Sequence, residues 1–264
     1  MSALTRRGLL GAAGGLGLTA ALGLAPSIAG AATPGKAVEI GADGKYPTVP
    51  LAKEMWTLGV AQSRSIPVDL GRVDASRKAN LQHMLDLIDA AFGFGMGPDM
   101  LFFHEFPITG FGAGWTRKDI LKVAIEIPGE ETEALARKAR ERGIYLVFGS
   151  YARDKDWPGH VLSITTMIGP DGKILAREWK ARNIKGAFGG QIELFTTTIY
   201  DVFDRYVEMY GQDAVIPVVQ TPLGNIAMSS VQREPELFRA MAIKGAEVIL
   251  RTATGGFSPL DVAA

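Results

Sequence analysis

From Trp56 onward, short apolar runs alternate with longer amphipathic stretches. Trp56 to Ala61 and Asp99 to Phe103 are short and apolar, and each reads as a buried strand. Between them Leu81, Met84, Leu85 and Ile88 recur at helical spacing, with Asp74 placed to cap the helix and Phe92-Gly93 to close it. Glu130 to Arg142 is rich in Ala, Glu and Arg, which predicts a helix stopped by Gly143, and Ile144 to Gly149 predicts the next strand. Val161 to Ile168 and Lys173 to Trp179 flank Pro170-Asp171-Gly172, a turn signal, and read as a hairpin. Ile199 to Tyr210 reads as a helix ended by Gly211. Ile216 to Val219 and Asn225 to Ser229 form a second hairpin around Pro222-Leu223-Gly224. Pro235 opens a helix that runs to Lys244, and Glu247 to Leu250 is a last strand. Strands interleaved with helices, plus two hairpins, predict an α/β fold in which helices cover a mixed sheet. Such folds carry reactive groups just past the carboxyl ends of strands. Three strand ends therefore matter: those at Glu105, Lys180 and Ser229.

The first segment follows another pattern. Arg6-Arg7 precede an uncharged stretch from Leu9 to Ala29 that closes on small residues up to Ala32. A basic start, an apolar middle and a small-residue end predict an export signal over 1–31, and the paired arginines resemble the twin-arginine type. Pro26 interrupts the run before it reaches a comfortable membrane span. The expected organisation is a signal over 1–31, a linker over 32–54 and one folded domain over 55–264. The expected location is periplasmic or extracellular, with no membrane association once the signal is removed.

Composition narrows the chemistry. The chain has 264 residues and is 47% hydrophobic, enough to bury a large core and too much for a disordered chain. Its 28 basic and 28 acidic side chains balance, so nothing favours a nucleic-acid partner. The sequence has no Cys, which excludes disulfides, thiolate metal sites and any cysteine nucleophile. His83, His104 and His160 are scattered, and no phosphate loop or dinucleotide fingerprint occurs, so no metal or cofactor is expected.

A carboxylate at Glu105, just beyond an apolar strand, suits general base work, and a lysine at Lys180 can donate to a developing oxyanion. Taken singly, each reads first as a solvated strand-end charge. Asp99 to Gly110, with its strand running into His104-Glu105-Phe106-Pro107 and Thr109-Gly110, resembles the first motif of the carbon–nitrogen hydrolase (nitrilase and aliphatic amidase) superfamily. Gly172 to Lys180 resembles the second motif. Gly224 to Met228, Pro235 to Arg239 and Gly245 to Leu250 resemble the frame of the third. The resemblance implies a four-layer α-β-β-α sandwich and a Glu–Lys–Cys triad that hydrolyses small amides or nitriles through an acyl-enzyme. It also implies a homo-oligomer paired through the helices around the third motif. Glu105 and Lys180 match two members of the triad. Counting back from Pro235 puts the nucleophile at Ser229, while counting forward from Gly224 reaches Val231, as though the loop were shortened.

The missing thiol leaves two functions open. One is an exported hydrolase of small amides or nitriles; the other is a catalytically silent binding protein of the same fold, or a truncated fragment of one. The resemblance implies a second Glu as well. In the loop Ala152 to His160 only Asp154 and Asp156 are available for that role. With the chain ending at Ala264, the second sheet is expected to be incomplete at its C-terminal end.

Overall fold

The computed structural model describes residues 42, 46–64, 66–93, 95–183, 195–231 and 234–253. The predicted export signal, most of the linker and residues 254–264, on which the expectation of an incomplete sheet rests, lie outside the described residues.

The elements in chain order are β1 (Leu58–Ala61), α1 (Val73–Ala90), β2 (Met100–Phe103), α2 (Arg117–Val123), β3 (Ile125–Glu126), α3 (Glu130–Arg142) and β4 (Tyr145–Arg153). There follow β5 (Leu162–Ile168), β6 (Ile174–Trp179), α4 (Phe203–Tyr210), β7 (Val218–Thr221), β8 (Gly224–Ser229), α5 (Pro235–Ile243) and β9 (Val248–Arg251). Most were foreseen, but the short α2 and β3 were not, because seven and two residues carry too little periodicity. Asp74 does not cap α1. It lies inside the first turn and pairs with Arg77, while Arg72 occupies the cap. Helix α3 ends where Gly143 adopts φ 65°, a conformation other residues resist. The predicted helix over Ile199–Tyr210 breaks at Val202 into a short turn and α4.

The strands form two sheets. A six-stranded sheet has the order β1-β2-β4-β5-β6, with β3 also on β4, and a three-stranded sheet has the order β7-β8-β9. β1, β2 and β4 are parallel, whereas β4, β5 and β6 form an antiparallel meander. The period-two alternation of strand side chains then builds four layers. Leu101, Phe103, Leu146, Phe148, Ile164 and Ile168 pack under α1 and α3. Met100, Tyr145, Val147, Met167 and Ala176, on the opposite face, meet Leu223, Ile226, Met228 and Leu250 of the second sheet. Val218 and Ala227, on that sheet's outer face, pack with Leu237 and Met241 of α5. The result is the expected α-β-β-α sandwich. Among the described residues no helix is long and apolar enough to cross a membrane.

Candidate functional site at the polar end of the sandwich

The space between the sheets is apolar over most of its length and polar at one end. Antiparallel register lays this end out residue by residue. Tyr151 lies opposite Ser163, and Thr165 lies opposite both Gly149 and Glu178. The Lys180 amide donates to the Ser163 carbonyl at 2.9 Å. Odd positions of β5 share the face of Met167, and Glu178 and Lys180 share that of Ala176, so Ser163, Thr165, Glu178 and Lys180 all face the second sheet.

Glu105 enters from the loop after β2. The Gly149 amide donates to the His104 carbonyl, and the chains come so close that a Cβ on Gly149 would lie 2.4 Å from the Glu105 carbonyl oxygen. Only glycine admits this approach. Phe106 then stacks on Tyr151, with ring centroids 4.4 Å apart, and fixes the loop beyond. Lys180 is held differently. Its neighbour Trp179 points into the opposite layer, edge-on to Trp157 and Tyr206, and donates through Nε1 to the Thr197 carbonyl at 2.7 Å.

The two supports bring the two side chains together. Lys180 Nζ donates to Glu105 Oε1 at 2.8 Å, and the Ser163 hydroxyl donates to the same oxygen at 3.3 Å. Glu105 is 2% exposed. Buried carboxylates are tolerated when paired and hydrogen-bonded, and this one is both. Charge-assisted bonds of this length are among the stronger contacts in a protein. The Glu105 carboxylate lowers the tendency of Tyr151 to ionise, which burial has already suppressed.

Ser229 ends β8, Ser230 follows it, and both are fully buried. Ser229 shares the face of Ala227; its hydroxyl accepts from the Val231 amide at 3.1 Å, and its carbonyl accepts from Thr252. Val231 is buried in the layer beside α5. Just past the strand, the Ser230 amide donates to the Glu178 carboxyl. Residues 232 and 233, where the shortened loop was expected, lie outside the described residues.

The acids considered as a second Glu take other places. Asp154 lies 3.7 Å from Arg177, which faces the helix-covered layer beside Trp179, and the Asp156 amide donates back to Asp154. His104 does not bond to Glu105: its Nδ1 accepts from the Phe106 amide at 3.2 Å, and burial holds its pKa below the ordinary value. Sequence reasoning missed Glu178. Burial raises its pKa from 4.5 to about 8, against the pull of Thr165, Lys180 and Ser230. The signal was present: an acid inside an apolar strand, two residues before Lys180 and so on the same face. Among the described residues no cluster of His, Cys, Asp or Glu could hold a metal ion.

Comparison with known proteins agrees with this architecture. Residues 57–261 match the family model for carbon–nitrogen hydrolases. The chain is 31% identical to a bifunctional nitrilase/nitrile hydratase of Lupinus angustifolius over 128 residues, which are 47% of this chain and 31% of that protein. It is 24% identical to a formamidase of Helicobacter acinonychis over 70% of this chain and 50% of that one. The matched stretch thus spans half or less of these relatives. An amidase from Nesterenkonia sp. AN1, solved as a double mutant with acrylamide, superposes with a TM-score of 0.57 at 17% identity, covering 82% of this chain and 71% of that one. A carbon–nitrogen hydrolase from Helicobacter pylori G27 gives 0.58 at 17% identity, covering 78% and 62%. The family match covers most of the folded region, and the solved structures share its layers: the chain belongs to the carbon–nitrogen hydrolase family.

Proposed function

We propose that this is an exported protein that binds a small amide or nitrile beside Glu105 and Lys180 and hydrolyses its C–N bond slowly. A serine hydroxyl stands in for the thiol that the family resemblance implies. The observation that carries the reading is the part-buried 2.8 Å Lys180–Glu105 contact at the polar end of the inter-sheet space. A partly desolvated ammonium there can stabilise the oxyanion that forms when a C–N carbon is attacked, and the carboxylate can move protons. The rate is low because a hydroxyl, unlike a thiol, needs an adjacent base to act at neutral pH. The basic, uncharged and small-residue succession over 1–31 supports export. Self-association through the helices around Pro235 fits Ile243, half exposed on α5.

A silent binding protein is the second reading, favoured by the absence of any Cys in the sequence. Purified full-length chain should release ammonia from one or more of a panel of small amides and nitriles. Glu105→Gln and Lys180→Ala should each abolish that release while the fold, followed by circular dichroism, persists. Binding without release in every case would leave the silent reading standing. Cell fractionation of the exporting host tests the location.

A further inference from the structure

Glu178 and Ser230 are not used in the scheme above, yet both are buried at its edge. Glu178 is 2% exposed, and its Oε2 has no hydrogen-bond partner among the described residues. Ser230 is fully buried, and its Oγ likewise has no partner among them. Buried polar atoms are almost always satisfied, and one that is not calls for an explanation, a catalytic role among them. The two are neighbours, because the Ser230 amide lies against the Glu178 carboxyl and the Ser230 hydroxyl is held close to its own amide by covalent geometry. Glu178 faces the layer that holds Lys180 and Glu105, and the Ser230 amide meets its carboxyl there. Ser229 is a contrast: its hydroxyl is already engaged by the Val231 amide, on the face turned to α5.

We propose that Ser230 is the nucleophile and Glu178 the base that activates it. The assignment rests on the hydrolytic reading above and deepens it. The Glu178 carboxylate takes the Ser230 Oγ proton as Oγ bonds to the substrate's carbonyl carbon, and the C=O π pair moves onto oxygen beside Lys180 Nζ. The oxyanion then re-forms C=O as the C–N bond breaks, and the nitrogen leaves as ammonia or amine with the proton returned by Glu178. Water attacks the resulting Ser230 ester, giving one proton to the Glu105 carboxylate. Re-formation of C=O expels Ser230 Oγ, which recovers that proton, and the acid is released. The sum is amide plus water giving acid plus ammonia or amine.

The groups facing Glu178 from its surroundings are Thr165 on β5, Lys180 on its own strand, Glu105 from the β2 loop, the Ser230 amide, and Tyr206 on α4, whose ionisation the Glu178 charge further opposes. Burial holds Glu178 protonated up to about pH 8, so the acceptor form gains population as pH rises through that value.

The test uses full-length protein and a chromogenic aryl acetate and anilide, whose acyl group labels the attacking residue. Peptide mass mapping of quenched wild-type protein should find the acetyl group on Ser230. Ser230→Ala should abolish both labelling and turnover, whereas Ser229→Ala should keep them. Glu178→Gln should lower turnover by about 100-fold and erase the rise of rate near pH 8, while leaving binding of acetamide, read by calorimetry, intact. Acetyl on Ser229, or full turnover in Ser230→Ala, overturns this assignment and leaves the hydrolytic reading in place. An unchanged pH profile in Glu178→Gln removes Glu178 from the mechanism. Wild-type protein that binds acetamide but is never acylated and releases no product overturns both readings of the chemistry. Mapping on the wild type decides the matter even where a variant fails to fold.

Discussion

The two ends of the inter-sheet layer are built from the same strands and obey different physics. Toward one end, Met100, Val147, Met167, Ile226, Met228 and Leu250 interlock. Along β5 and β6, and just past the ends of β2, β6 and β8, the polar residues Ser163, Thr165, Glu178, Glu105, Lys180 and Ser230 gather instead. At the apolar end contacts are non-directional and stability follows volume and area. At the polar end every buried group is held by a partner or left costly without one, so its energetics follow charge and pH. Burial alone therefore does not define a core. A sandwich can devote part of its interior to reactive groups if they satisfy one another, and the two orphaned atoms of Glu178 and Ser230 show where satisfaction stops.

Lys180→Ala should break this contrast most severely. It leaves Glu105 buried without its ammonium and should cost about 3–5 kcal/mol, nearer the lower figure because Ser163 still donates to Glu105. Chemical denaturation measures it, and the Lys180→Met, Glu105→Gln pair should recover much of the loss. A cost below 1 kcal/mol would show the pair to be solvated.

Glu178→Gln separates the ends by pH. Burial raises the pKa of Glu178 from 4.5 to about 8, so the folded state holds its proton where the unfolded chain has lost it. That contribution is complete below about 4.5 and is lost as pH rises toward 8. Thermal melting of the wild type should fall relative to Glu178→Gln across that window, and parallel profiles would refute the shift.

Met228→Ala tests the apolar end. Met228 is 1% exposed, and its truncation should cost about 2–3 kcal/mol by leaving a cavity, with no dependence on pH between 5 and 9. A pH-dependent loss would mean that the two ends are not independent. Gly149→Ala acts where they join. The new Cβ would collide with the Glu105 backbone, so about 1–2 kcal/mol of stability should go, together with a fall in kcat larger than any rise in KM. The smallest effect belongs to Ser229→Cys. Because the Ser229 hydroxyl is turned to the Val231 amide, a thiol there should change turnover little, whereas Ser230→Cys should raise it. Equal rates for the two variants would erase the distinction drawn between the serines.

Much was legible in the sequence because it depends on local pattern. The α3 boundaries follow from a helix-forming composition and a terminal Gly143, and the β5–β6 hairpin follows from Pro170-Asp171-Gly172 between β-branched runs. Glu105 and Lys180 stood out because each closes an apolar strand. Other features were not legible, since they exist only between segments distant in the chain. The Lys180–Glu105 contact joins residues 75 positions apart. Which serine faces the site depends on how β8 packs between two layers, since one residue of register carries a side chain to the opposite face. Asp154, placed by sequence among the candidate acids, belongs to Arg177 on the far face for the same reason. Glu178 carries a sequence signal as an acid in an apolar strand, but only the burial that comes when the second sheet covers it holds its proton near neutral pH. The sequence by itself determined most of the elements, the family's motifs and the absence of a thiol; the tertiary structure decided which polar groups meet, because desolvation and pairing arise only when two sheets close over the same few residues.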